Sequence, residues 1–145
     1  LNKDLMILSG SGNLSRFQID VLKKNTKKMD LILGPLVTKK EKLFLENSNI
    51  NFYENPDDRY LKIKNARNVY CKFGVSTYEA IALNKKPVVL NDHETGERMK
   101  DINTLFRLGL IKLFKKNRLM SKKTKVKIDI NLSLKNIIEV IKLKG

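Results

Sequence analysis

Short apolar runs along the chain alternate with stretches in which apolar residues recur every three or four positions, which predicts strands and helices in succession. Asp4-Leu5-Met6-Ile7-Leu8 reads as a strand running into Ser9-Gly10-Ser11-Gly12-Asn13. Phe17, Val21 and Leu22 share one face of a helix expected from about Ser15 to Asn25. Leu31-Ile32-Leu33 is a strand stopped by Gly34-Pro35, and Thr38-Lys39-Lys40-Glu41 is a capping box opening a helix that reaches about Asn47. Ile50 to Tyr53 is a further strand, and Asn55-Pro56-Asp57-Asp58 turns into a helix ending near Asn65.

The stretch Asn68 to Leu90 organises the chain: a strand from Val69 to Phe73, a tight turn at Gly74, a short helix, and the buried strand Val88-Val89-Leu90. Ser76-Thr77-Tyr78-Glu79 has the form of a second capping box, and Lys85-Lys86-Pro87 ends the helix after Asn84. Next comes a helix from about Gly96 to Leu108, with Met99, Ile102, Leu105 and Phe106 inward and Gly109 closing it. Val126 to Ile130 reads as a last strand, and Ser133 to Leu143 as an amphipathic helix whose apolar side holds Leu134, Ile137, Ile138 and Ile141. The alternation predicts a single α/β domain over residues 1–145, with a mostly parallel sheet of about five or six strands and helices on both faces.

Composition narrows the picture. A chain of 145 residues that is 41% hydrophobic can bury a core and is not of the disordered class. No apolar run approaches the ~20 residues of a membrane span, and no signal peptide precedes the first strand. The single Cys71 excludes an internal disulfide and fits a reducing cytoplasm. Because the chain starts at Leu1 without a methionine, it reads as an excised part of a longer protein or one subunit of a split one. The formal charge of +15 points to an anionic partner, unless it reflects only a lysine-rich surface. The stretch Lys112 to Lys127 holds eight basic residues and no acidic one; it reads as a solvated loop, with contact to an anionic membrane surface or an acidic partner as the functional alternative.

Two turns carry candidate chemistry. Gly10 and Gly12 follow the first strand, where glycine lets a ligand approach the backbone and its N–H groups hold a diphosphate. The spacing is neither a dinucleotide fingerprint nor a P-loop. Gly74 and Ser76 form a second such turn, expected at the same carboxyl edge of the sheet, where open α/β sheets bind ligands and helix N-termini favour phosphate. Glu79 reads either as the N3 residue of its capping box or as an acceptor for ribose hydroxyls. His93, the only histidine, follows the strand Val88–Leu90 at the same edge between Asp92 and Glu94, with no metal-spaced ligand set around it. Neither a metal nor a cofactor is implied.

GVSTYEAIALNKKPVVL resembles the donor-binding half of GT-B-fold nucleotide-sugar enzymes, above all the UDP-sugar hydrolases of pseudaminic acid biosynthesis and their spore-coat polysaccharide relatives. The peptidoglycan GlcNAc transferases are similar at Cys71, Gly74 and Pro87 but have one more residue before their glutamate. Ser9-Gly10-Ser11 looks like the Gly-Gly-Ser loop of both groups, and Glu46 to Asn65 like the segment that holds the nucleobase, so the resemblance spans Leu5 to about Leu113. It implies a Rossmann-like three-layer domain forming one half of a GT-B architecture. It implies a UDP-linked sugar bound for transfer or hydrolysis in surface glycan or nonulosonic acid biosynthesis. Ser9, Gly10, Ser11, Gly12 and the turn Gly74, Val75, Ser76 and Thr77 would then face the diphosphate. Glu79 would take the ribose, Asn55 and Pro56 would line the base, and His93, Glu97, Arg98 and Asp101 would face the sugar.

The chain departs from that pattern in three places. Pro56 lacks an N–H, Asn84 replaces the usual glycine after the helix, and the Asn-Gln or Gln-Gln pair of the sugar site is absent. The acceptor site and general base of such enzymes lie in an N-terminal Rossmann-like half or a partner subunit, so no catalytic residue is assigned here.

Two other classes compete. A basic α/β module binding nucleic acid would suit the charge, but aromatic residues are only 7% and form no ladder with basic ones. A receiver-like signalling domain needs an acidic cluster at strand ends, whereas Asp4 and Asp30 precede their strands.

Overall fold

The computed structural model describes residues 3–8, 24, 29–90, 96–115, 118–128 and 134–144. Its strands are β1 (Asp4–Leu8), β2 (Met29–Leu33), β3 (Phe52–Glu54), β4 (Val69–Cys71), β5 (Val88–Val89), β6 (Lys112–Lys115) and β7 (Arg118–Met120). They form one sheet in the order β3-β2-β1-β4-β5-β6-β7. The pairs β1/β2, β2/β3 and β5/β6 are parallel and β6/β7 is antiparallel. The helices are α1 (Lys39–Asn47), α2 (Arg59–Asn65), α3 (Val75–Ala82), α4 (Glu97–Arg107) and α5 (Leu134–Lys144). The protein is therefore α/β with a mostly parallel sheet of seven strands, more than the five or six expected. By contact density it divides into two compact units, Leu1–Tyr70 and Cys71–Gly145.

In the first unit, β1 and β2 bury nearly every side chain, with Met6, Leu31 and Ile32 fully enclosed. Such continuous apolar runs suit parallel strands covered on both faces. The Thr38 box forms as expected: the Thr38 hydroxyl accepts the Glu41 N–H at 3.2 Å, and the Glu41 carboxylate accepts the Thr38 N–H at 3.1 Å. Asp4, at the start of β1, is buried but fully engaged. Arg67 donates to it from Nε at 3.0 Å and from Nη2 at 3.3 Å, and Asn68 Nδ2 donates at 3.1 Å. The third strand begins two residues later than the apolar run at Ile50 suggests. Asn49 at φ 54° still belongs to the turn that closes α1, and Ile50 is buried in that turn, its N–H bonded to the Leu45 carbonyl.

In the second unit, Phe73, Ile81, Val89, Ile102, Leu105, Leu108, Leu110, Ile111, Ile137 and Ile141 form one core. The 112–127 stretch is a solvated loop only in part: Lys112–Lys115 and Arg118–Met120 are strands, while 121–127 is irregular and mostly exposed. Lys112 donates its N–H to the Pro87 carbonyl and opens β6, which lies parallel to β5 and pairs with β7 as a hairpin. The described part of the expected 126–130 strand, residues 126–128, is not a strand either. Val126 and Ile128 pack against the core, and the segment is fastened by single bonds rather than a ladder. Lys125 N–H donates to the Leu108 carbonyl at 2.9 Å, and the Thr124 hydroxyl donates to the Gly109 carbonyl at 3.1 Å. Gly109 sits at φ 74°, and a Cβ there would lie 2.7 Å from Thr124 Cα and in collision with the Lys123 carbonyl. Only glycine satisfies both demands.

Candidate functional site

Between the end of β4 and the start of α3 the chain turns in three residues, Lys72-Phe73-Gly74. Thr77 holds this turn from inside. Its hydroxyl accepts the Gly74 N–H at 3.2 Å, donates to the Lys72 carbonyl at 3.3 Å and lies 3.5 Å from Cys71 Sγ. Helix α3 consequently begins at Val75, with Gly74 as its N-cap and Thr77 as its third residue. The capping box expected from Ser76 and Glu79 does not form: Ser76 is buried inside the first turn, and Glu79 is the fifth helical residue, half-buried and past the capping positions. The buried Thr77 hydroxyl outcompetes the Ser76 signal because it ties strand and helix together.

The N-cap Gly74 has no side chain of its own, and Thr77 takes the Gly74 N–H; the positive end of the helix's peptide dipoles lies at the carboxyl end of β4. Gly74 has φ 165°, extended backbone that any residue adopts, and a Cβ placed there meets no atom within 4 Å. Neither strain nor packing requires glycine at this point. What glycine provides is an unobstructed approach to the helix start. Beside it Val75 is 65% exposed, while Ser76 and Thr77 are buried.

Helix α4 reaches the same turn. Gly96 takes φ 66° and ψ −136°, which side-chain-bearing residues avoid, and directs the chain into α4. From the second residue of that helix, Arg98 Nη1 donates to the Phe73 carbonyl at 3.5 Å, which places a guanidinium beside Gly74. Tyr78 packs edge-on against Phe73 with ring centroids 5.8 Å apart. Burial raises the Tyr78 phenol above its usual range, and the Asp101 carboxylate adds to the shift. Arg98 and Asp101 thus border the first turn of α3, whereas Glu97 is solvated and pairs with Lys100 at 3.3 Å.

Asn55 and Pro56 belong to the first unit, directly after β3. Asn55 adopts φ 42° and donates its N–H to the Leu33 carbonyl at 3.1 Å, while the Pro56 carbonyl accepts from Arg59 N–H at 3.2 Å. Ser9, Gly10, Ser11, Gly12 and His93 lie outside the described residues. Asn84, in place of the expected glycine, adopts φ 59°, the left-handed conformation asparagine tolerates.

A recess of the second unit lies elsewhere. A groove of about 970 Å³ lies at the other end of α3, between Asn84-Lys85-Lys86 and the 124–128 segment. Sequence reading missed it because its walls come from three separate stretches; the glycine at 109 beside a lysine-rich run is the signal that points to it. The case for the Gly74 turn rests on backbone and Arg98 geometry instead. Compared with family models, curated proteins and solved structures, the chain matches none.

Proposed function

We propose that this chain binds a nucleotide-sugar, UDP-linked, at the start of α3, and serves as the donor half of a GT-B-type glycosyltransferase or UDP-sugar hydrolase of surface glycan or nonulosonic acid biosynthesis. In this reading the domain is Rossmann-like and three-layered. It works in the cytoplasm with an N-terminal Rossmann-like half or partner subunit that supplies the acceptor site. The observation that carries the proposal is the open glycine at 74, which neither fold nor backbone requires, at a helix N-terminus with Arg98 beside it. The diphosphate lies against the N–H groups of this turn and the Arg98 guanidinium, a charge-assisted contact. Glu79 accepts from the ribose hydroxyls. Thr77 shapes the turn and does not touch the ligand. Among the described residues no helix is long and apolar enough to cross a membrane.

Gly74→Ala tests this reading. Extended backbone and open space mean the folded state accepts the methyl group, so stability holds or rises by about 0.4–1 kcal/mol. UDP affinity, titrated by calorimetry against CMP and ATP, falls at least about tenfold, a loss of roughly 1.4 kcal/mol. Glu79→Gln gives a similar loss with UDP and with uridine at unchanged melting temperature. UDP affinity unchanged in both variants, or no preference for UDP, would reject the proposal.

A further inference from the structure

The groove at the far end of α3 has a consistent chemical character. Its floor is apolar, made by Ile81, Leu110, Val126 and Ile128, and its rim carries Lys85, Lys86, Lys125 and Lys127, with no acidic residue among the described residues that line it. The wall is a built feature. Lys125 N–H and the Thr124 hydroxyl fasten it to the 108–109 carbonyls, and Lys86 Nζ donates to the Lys122 carbonyl. Partial burial lowers the Lys86 pKa, and the nearby Lys112 charge lowers it further, so positive charge is already crowded there before any ligand arrives. The lining also contains the residues just past the last turn of α3, whose dipole repels anions; an anionic group is therefore held by the lysines and not by the helix.

We propose that this groove binds a small anionic amphiphile: a phosphate-type headgroup caught by the rim lysines, with its hydrocarbon body along Ile81, Leu110, Val126 and Ile128. A volume near 970 Å³ is at the upper end of small-molecule sites, roughly 300–1,000 Å³, and suits such a body better than a bare phosphate. The site is separate from the Gly74 turn, since the eight residues of α3 place about 12 Å between its ends.

The probe is decyl phosphate as monomer, titrated into the full chain while methyl NMR signals are followed, beside inorganic phosphate and decanol. Decyl phosphate shifts Ile81, Leu110, Val126 and Ile128 and binds at least tenfold more tightly than either control. The double variant K125E/K127E, at two exposed positions, weakens it at least tenfold while the spectrum remains folded. Co-sedimentation with phosphatidylglycerol vesicles that decyl phosphate suppresses assigns a bilayer-borne headgroup; binding of the monomer alone assigns a free ligand. Equal affinity for decyl phosphate and inorganic phosphate, equal affinity for decanol, or undiminished binding by K125E/K127E overturns the proposal.

Discussion

The two compact units manage charge in opposite ways. Residues 1–70 carry 13 lysines and arginines against 8 acids, and residues 71–145 carry 17 against 7. In the first unit the acids serve the fold. Asp4 holds Arg67 and Asn68, Glu41 closes its capping box, Glu54 meets Lys42 at 2.6 Å, Asp58 meets Lys62 at 3.3 Å, and Asp30 meets Lys3 at 3.7 Å. In the second, seven acids cannot neutralise seventeen cations however they pair. The excess persists as a positive field around a groove wall and a helix start. Acidic residues thus pair mainly within the fold in the first unit, while the second carries the larger excess of positive charge.

The sharpest way to break this contrast is at the groove wall. Gly109→Ala places a left-handed alanine, costing about 1–2 kcal/mol, against a backbone that must move, costing about 1–3 more. Denaturant unfolding should show a loss of roughly 2–5 kcal/mol, with amide protection lost first around 108–128. A loss below about 1 kcal/mol would mean that the 122–125 segment is not fastened there. In the first unit the largest effect should follow Asp4→Ala, which removes charge-assisted hydrogen bonds from a buried site and costs about 1–3 kcal/mol. The matching change in the second unit, Asp101→Asn, should stay within about 0.5 kcal/mol. Equal losses in the two variants would erase the contrast. The smallest effect is electrostatic. Raising salt from about 0.05 M to about 0.5 M screens self-repulsion and should stabilise residues 71–145 by less than about 1 kcal/mol, and residues 1–70 by less still. Hydrogen exchange resolves the two, and a greater gain in the first unit would contradict the assignment.

What was legible in the sequence was local. Thr38 and Glu41 declare their helix because the capping box is complete within four residues. Asn84 could be read as a left-handed stop because asparagine is one of the few residues that adopts it. What was missed depended on distant partners. Lys112-Leu113-Phe114-Lys115 and Arg118-Leu119-Met120 look like a charged loop until β5 supplies a ladder. The start of α3 was read two residues late because Ser76 and Glu79 imitate a cap, while the hydroxyl that closes the turn is that of Thr77, whose contacts are with Lys72 and Cys71. In the candidate site, Gly74 was visible, and Arg98 was named without the carbonyl that locates it.

The lone thiol of Cys71 has no exposed surface and lies against the Thr77 hydroxyl that fastens the Lys72–Gly74 turn. A thiol reagent can reach it only in molecules whose turn has momentarily swung aside. The chain therefore carries its own clock for that motion: the speed at which the native protein takes up such a reagent measures how often the start of α3 comes loose.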